Sequence, residues 1–263
     1  MQGSANLNIM LKAVRKAGRS LNKDFREVEN LQTSAENAAK FVARSVIASA
    51  DILREDLTSA RGTYGYLDAQ GETDGEAPTR RWIVSALDGA DNFMHGQPHF
   101  AVTIALEHKG NIVSAVVFDP AKDEMFYAEK GQGAWLNDNK RVRVSSRFRL
   151  VDAVLGHVVP FGAKRTLPAT VKDLARVMAE CAGLRASGST ALELAYVAAG
   201  RLDGFWQREA TLLDLAAGSL VASEAGALIE GVRPGQKPLE DGAILCANNQ
   251  LFSVLAKTLR ATD

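Results

Sequence analysis

The chain of 263 residues has an ordinary composition for a soluble globular protein, with 46% hydrophobic and 24% charged residues. Lys plus Arg and Asp plus Glu each number 31, so the formal net charge is zero. This balance argues against a broadly basic nucleic-acid-binding protein and leaves electrostatic binding to local patches. The only two cysteines, Cys181 and Cys246, form no CxxC pair. We therefore expect free thiols in a reducing compartment rather than a disulfide framework or a thiolate zinc site.

The first twenty residues have the pattern of an amphipathic helix. Apolar residues recur at the spacing of one helical face, at Leu7, Met10, Leu11, Val14 and Leu21, with Lys and Arg between them. The segment lacks the continuous apolar region of a signal peptide, and no run in the chain reaches membrane-spanning length. We predict a core-facing helix, no membrane association and a cytoplasmic protein.

The first half of the chain predicts helices followed by a meandering sheet. Short turns at 109–110 and 120–123 separate β-branched, apolar runs, which favours antiparallel pairing. The segment 61–81 is rich in Gly, Thr, Asp and Glu and predicts a surface loop or ribbon. The predicted elements are helices at 5–29 and 35–60 and strands at 81–84, 99–108, 111–119 and 124–128.

The second half alternates between strand and helix patterns. One predicted helix has Ser189 or Thr190 near its N-cap and Gly200 at its end. The other predicted elements are strands at 153–159, 202–206 and 243–247 and helices at 167–182 and 214–226. This alternation predicts an α/β half packed on an α+β half. We expect two subdomains, 1–145 and 146–263, in one compact unit.

Five stretches resemble, in this order, the inositol monophosphatase family, including its bacterial extragenic-suppressor branch. They are WIVSALDGADNF, PHFAVTIAL, FDPAKDEMFYAEKGQGAWLND, GSTALELAYVAAGRLDGFW and LLDLAAGSLVASEAGA. The resemblance covers nearly the whole chain. It implies an α/β (α+β) fold layered as an αβαβα sandwich, a homodimer, and Mg²⁺-dependent hydrolysis of phosphate monoesters. In such chemistry, oxygen ligands hold the metal, and the metal activates water and stabilises the leaving oxygen.

The resemblance also implies where the metal ligands would lie. The family supplies a Glu from a GEE loop, two Asp from a DPxDGT turn and an Asp from a WD pair. Here the Glu position is Ala69 and the first turn Asp is Ser85, whereas Asp88 and Asp214 keep their carboxylates. Leu87 still offers the backbone carbonyl that serves as a ligand in the family. We predict a weak or vestigial Mg²⁺ site at Asp88, Asp214 and Leu87.

The positions that orient the attacking water have also changed. The Thr of the turn is Ala90, and the Asp of an earlier helix is Val46. A Lys of an early loop, 34–38, falls on Glu36. We therefore expect no residue of this chain to act as a full catalytic group. The substrate-facing positions implied by the family are Gly89, Ala90, Gly188, Ser189, Thr190 and Gln207, the last replacing an acidic residue.

The leading hypothesis is a catalytically silent, or nearly silent, scaffold that binds a small anionic ligand such as a sugar or inositol phosphate, or a protein partner. The rival hypothesis is an active Mg²⁺-dependent phosphatase whose ligand set is rebuilt by nearby Asp68, Glu72 or Asp91. Two structural alternatives stay open. In the first, Asp88 serves only a turn before Gly89, and in the second, Asp214 serves only as a helix N-cap.

Overall fold

Helices and sheets alternate in five layers in the computed structural model, which describes residues 3–28, 35–73, 77–138, 140–159 and 166–261. Helices α1 (Ala5–Val28) and α2 (Ala35–Ala60) cover one face of an eight-stranded sheet, and helices α5 (Thr190–Ala198) and α6 (Leu212–Glu224) fill the space between this sheet and a five-stranded one. Helices α4 (Leu167–Met178) and α8 (Asn249–Arg260) cover the outer face of the second sheet. The predicted αβαβα sandwich is confirmed. None of the described helices is long and apolar enough to cross a membrane.

The bounds of the elements follow the chain from end to end. The helices are α1 Ala5–Val28, α2 Ala35–Ala60, α3 Ala90–Met94, α4 Leu167–Met178, α5 Thr190–Ala198, α6 Leu212–Glu224, α7 Pro238–Asp241 and α8 Asn249–Arg260. The strands are β1 Tyr64–Asp68, β2 Gly71–Thr73, β3 Ala77–Asp88, β4 Ala101–His108, β5 Asn111–Asp119, β6 Glu124–Glu129, β7 Ala134–Leu136, β8 Lys140–Val142, β9 Val154–His157, β10 Gly183–Arg185, β11 Gly204–Gln207, β12 Ala227–Glu230 and β13 Ile244–Asn248.

The burial of each helix follows from its layer. Helix α1 buries one stripe, which includes the predicted Leu7, Met10, Val14 and Leu21, and exposes its Lys and Arg residues. Helix α5 is buried on nearly all sides because it lies between two sheets. The first pattern could be recognised from periodicity, whereas the second has no polar face to reveal it.

The two sheets differ in strand direction. The first has the order β2-β1-β3-β4-β5-β6-β7-β8, and all its pairs are antiparallel except β1 with β3. The second has the order β10-β9-β11-β13-β12, with parallel pairs on both sides of β9. The predicted antiparallel meander is confirmed for β3 to β6.

Several predicted boundaries were wrong. The segment 61–81 contains the antiparallel pair β1 and β2 and the start of β3, so the predicted ribbon is confirmed and the predicted loop is wrong. Helix α4 ends at Met178, short of the predicted residue 182. Helix α8 and the short strands β7, β8, β10 and β12 were not predicted. Residues 29, 34 and 74–76 of the predicted segments lie outside the described ranges.

Gly18 allows α1 to lie close against β5. A Cβ atom at this position would lie 2.5 Å from the Phe118 ring and 3.1 Å from Pro120. We expect Gly18→Ala to lower the free energy of unfolding by about 1–2 kcal/mol, because overpacking costs more than the gain in helix propensity. Urea unfolding measures this change. The exposed Lys23→Ala on the same helix is the control, and equal stability of the two variants would contradict the close approach.

Candidate functional site

The loop that follows β3 carries the centre of the candidate site. The register of β3 with β4 shifts between Ser85 and Asp88, so a bulge directs the end of the strand away from the regular ladder. Gly89 then adopts a left-handed conformation, with φ of 82°. A Cβ atom there would lie 2.9 Å from the carbonyl oxygen of His99. The Asp-Gly pair is therefore a required turn that places the Asp88 carboxylate at the start of α5.

Asp88 accepts hydrogen bonds from the first turn of α5. The Ser189 hydroxyl donates to Asp88 Oδ2 over 2.6 Å, and the Ala191 backbone N–H donates to the same oxygen over 2.9 Å. Ser189 is also the N-cap of this helix, as predicted, and its Oγ accepts from the Leu192 N–H. A carboxylate at a helix N-terminus is stabilised by the unpaired N–H groups there. Asp88 therefore caps the start of α5 and also occupies a predicted metal-ligand position.

The environment of Asp88 opposes its ionisation. Burial, together with the negative charge of Asp214, raises the pKa of Asp88 to about 6, although the hydrogen bonds from Ser189 and Ala191 act to lower it. Two carboxylates that repel each other at one site favour a proton on one of them, or a cation between them. The structure therefore brings the two predicted carboxylates within electrostatic range of each other.

Asp214 has a different local role from the predicted N-cap. Helix α6 begins at Leu212 with Thr211 as its N-cap, and Asp214 is the third residue of the helix. Asp214 Oδ2 accepts from the Thr211 backbone N–H over 2.7 Å and from the Thr211 hydroxyl over 2.8 Å. This reciprocal capping box corrects the N-cap alternative. It engages one of the two Asp214 carboxylate oxygens.

The positions that differ from the family lie in the turn between β1 and β2, on β3, and on helices α2 and α3. Ala69 is exposed in the turn between β1 and β2, and Ser85 is half-buried on β3 opposite Thr103. Ala90 is exposed at the start of α3. Val46 packs against the same apolar cluster as Ala86 and Leu87. Position 46 is thus apolar, where the family resemblance implies a water-orienting Asp, although Ser49 of α2 donates a hydrogen bond to the Ala86 carbonyl.

The acidic residues that could rebuild a ligand set have other partners or lie outside. Asp68 is buried and forms an ion pair of 2.7 Å with Arg54, while its other oxygen accepts from the Gln70 N–H. Glu72 pairs with Arg81 over 2.6 Å. Asp91 is exposed in the first turn of α3. Glu36, which stands where the family has a Lys, pairs with Lys40 on the exposed face of α2 and has no predicted role as a metal ligand.

The substrate-facing positions form one connected polar network. The Thr190 hydroxyl donates to Gln207 Oε1 over 2.9 Å, and Gln207 Nε2 donates to the Glu209 carbonyl over 2.7 Å. Asn92 joins the loop after β3 to this network, because its Nδ2 donates to the carbonyls of His99 and Ser187. Gly188 has φ of 85° and lies against the Asn92 side chain. The predicted residues Gly89, Ser189, Thr190 and Gln207 are therefore assembled around the start of α5.

The structure adds one ionisable residue that sequence reasoning missed. Glu193 on α5 is 1% exposed, and its Oε1 accepts from the Ser187 N–H over 3.2 Å. Its Oε2 is buried without a hydrogen-bond partner in the described part of the chain. Burial raises the pKa of Glu193 to about 7, and the charge of Asp88 contributes to the increase. The signal was available as a single acidic residue in an otherwise apolar helical stretch, TALELAYVA.

The predicted magnesium ligands of this chain are the carboxylates of Asp88 and Asp214 and the backbone carbonyl of Leu87. Mg²⁺ favours near-octahedral oxygen coordination, with carboxylates supplemented by water and substrate phosphate. Asp88 and Asp214 each use one carboxylate oxygen in helix capping, and the described residues contain no group of three or more His, Cys, Asp or Glu able to hold a metal. Within the described residues, the site therefore offers the carboxylates of Asp88 and Asp214, fewer than the family resemblance implies.

Comparison with known proteins identifies the family. The family model described as "Inositol monophosphatase family" matches residues 5–263. The chain is 48% identical over 264 residues to "Inositol-1-monophosphatase" of Rhizobium meliloti (strain 1021), a match that covers 99% of this chain and 98% of that protein. It is 36% identical to "Nus factor SuhB" of Pseudomonas aeruginosa, covering 97% of this chain and 95% of that protein. The crystal structure of extragenic suppressor protein SuhB from Bartonella henselae has a TM-score of 0.90 at 37% identity, covering 99% of this chain and 100% of that one. The chain therefore belongs to the inositol monophosphatase family.

Proposed function

We propose that this family member binds a small phosphorylated polyol, such as an inositol or sugar phosphate, and hydrolyses it very slowly or not at all. The observation that carries the proposal is the state of the ligand positions: Ala69 and Ser85 supply no carboxylate, and Asp88 and Asp214 each have one oxygen engaged at a helix start. Binding is supported by the polar side chains of Ser189, Thr190 and Gln207, which are assembled at the start of α5.

The loss of catalysis follows from the number of groups that are missing together. Removal of a single transition-state-stabilising group commonly lowers the rate by about 10²-fold or more, and groups that act as a unit fail together. Here the metal positions Ala69 and Ser85 and the water-orienting position Ala90 have all lost their functional side chains. The family resemblance assigns no other hydroxyl of this chain to the orientation of the attacking water.

A second candidate function is an active Mg²⁺-dependent phosphatase for inositol phosphate. The names of the relatives favour it over a silent scaffold: three matches at 42–48% identity are called inositol-1-monophosphatase. Mg²⁺ is a plausible cofactor by family membership. The residues of the site favour the silent scaffold and the names of the relatives favour the phosphatase, so the two candidates call for a direct test.

Titration of the chain with inositol 1-phosphate, in EDTA and then in excess Mg²⁺, separates the two functions. A metal-independent binding site should give the same dissociation constant in both buffers, with no inorganic phosphate released. Thr190→Val breaks the hydrogen bond to Gln207 while keeping the side-chain shape, and should weaken binding by about tenfold. Binding that appears only with Mg²⁺ and is accompanied by phosphate release would establish the phosphatase instead.

The family resemblance also implies a homodimer, and this stays a prediction. Sedimentation equilibrium of the full chain measures it directly. A molar mass of twice 28.2 kDa is the expected result, whereas a single-chain mass at all concentrations would contradict it.

A further inference from the structure

A second cavity, separate from the candidate site, lies between α1 and the β6–β7 hairpin. It has a volume of about 620 Å³, within the range of small-molecule sites. An adjoining cavity of about 510 Å³ shares Arg15, Arg19 and Asp138 with it. Neither cavity is lined by Asp88, Ser189 or Gln207. The two cavities form a groove on the opposite side of the eight-stranded sheet from α5 and α6.

The cavity concentrates positive charge in a chain with no net charge. Lys12, Arg15, Lys16 and Arg19 of α1 all line it, against one acidic residue, Asp138. Lys16 is paired with Asp56 over 2.8 Å. Within the described part of the chain, Lys12, Arg15 and Arg19 form no ion pair.

The spacing of the unpaired cations suits a ligand with more than one oxyanion group. Arg15 and Arg19 are four residues apart on a helix, so their Cβ atoms are about 6 Å apart on one face. A guanidinium binds a phosphate with two parallel hydrogen bonds. Lys12, one turn before Arg15, adds a third positive group at the same end of the cavity.

The walls of the cavity are held in place and partly apolar. Met125 is buried and Tyr127 is half-buried, and both line the cavity opposite α1. Asn137 forms the rim and has a left-handed conformation, with φ of 49°. Its side chain accepts from the Met125 N–H over 2.8 Å and donates to the Asp123 carbonyl over 3.2 Å. The rim is thus preformed, which lowers the cost of ordering on binding.

We infer that this cavity binds a small molecule that carries a diphosphate or polyphosphate group, with the phosphates on Arg15 and Arg19 and the rest of the ligand against Tyr127. The inference goes beyond the proposed function, since it uses a different surface and neither a metal nor Asp88. It also agrees with the expectation that electrostatic binding in a chain with no net charge depends on local patches, because this cavity is a local basic site.

Calorimetric titration of the full chain with pyrophosphate, ADP and adenosine, in Mg²⁺-free buffer of low ionic strength, tests the inference. Pyrophosphate and ADP should bind, and adenosine should not, because the phosphates carry the attraction. Arg15→Gln with Arg19→Gln should weaken binding by about tenfold or more. Lys23→Gln with Arg26→Gln removes the same charge from the same helix outside the cavity, and should weaken binding by no more than about twofold.

A third variant gives a change in the opposite direction. Asp138 lines both cavities and its carboxylate repels an anionic ligand, so Asp138→Asn should tighten binding by about two- to fivefold. Equal weakening by the two double variants would show only a general charge effect and overturn the inference. Absence of binding by pyrophosphate and ADP, or weaker binding by Asp138→Asn, would overturn it as well.

Discussion

The triple variant Ala69→Glu, Ser85→Asp and Ala90→Thr should bind Mg²⁺ and hydrolyse inositol 1-phosphate at least about 10²-fold faster than the unmodified chain. The substitutions supply two carboxylates and one hydroxyl at the positions that the family resemblance assigns to metal and water. Ala69 and Ala90 are exposed and Ser85 is half-buried, so each position has room for a longer side chain. Phosphate release and Mg²⁺ calorimetry on the same preparation measure the result.

The matched control is Ala69→Gln, Ser85→Asn and Ala90→Val, which reproduces the sizes of the new side chains without their charges or hydroxyl. This control should remain as slow as the unmodified chain, because amide oxygens are weaker Mg²⁺ ligands than carboxylates. A triple variant that neither binds Mg²⁺ nor gains activity would contradict the expectation that the site keeps the backbone geometry of the family. It would show that the loops carrying Ala69 and Ser85 no longer converge with Asp88.

Glu193→Gln should stabilise the fold at pH 8 and leave it nearly unchanged at pH 4.5. The pKa of Glu193 is raised from 4.5 to about 7 by burial, so the folded chain retains a proton that the unfolded chain releases in this range. The contribution of Glu193 to the stability of the unmodified chain therefore falls by about 3 kcal/mol as pH rises from 4.5 to 7, and then levels off. Glutamine is neutral at every pH and avoids this loss.

Urea unfolding at pH 4.5, 6 and 8 measures the effect, and we expect the variant to gain about 2–3 kcal/mol at pH 8. Glu27→Gln, on the exposed side of α1, is the control and should not alter the pH dependence. A pH profile of Glu193→Gln parallel to that of the unmodified chain would show that the Glu193 carboxyl does not ionise on unfolding in this range, and would refute the prediction.

The parts of the fold that sequence predicted are those with local, repeated patterns. The stripe of α1, the β4–β5 hairpin and the Ser189 cap each depend on residues close together in sequence. The strands β1 and β2 were predicted only as a loop or ribbon without bounds, because β2 is exposed and polar and β1 is fixed by its partner β3. Pairing across the sheet decides such strands, and local propensity does not.

In the candidate site, too, some features could be predicted from the sequence and others could not. Family resemblance located Asp88, Asp214, Thr190 and Gln207, and the structure groups Asp88 and Thr190 at the start of α5. The family resemblance could not show that Asp214 belongs to a capping box, because that depends on where α6 begins. The resemblance also could not show that Arg54 forms an ion pair with Asp68, since those residues lie on different elements. Partners far apart in sequence follow only from tertiary packing.

The most direct measurement of the central claim is the steady-state release of inorganic phosphate from inositol 1-phosphate by the unmodified chain at saturating Mg²⁺. We predict a rate indistinguishable from that of a sample in which Asp88 is replaced by Asn, because Asp88 does not belong to a working metal centre in the proposed silent scaffold. Metal-dependent turnover at about 1 s⁻¹ or faster, abolished by Asp88→Asn, would contradict it and would make this chain an ordinary phosphatase of its family.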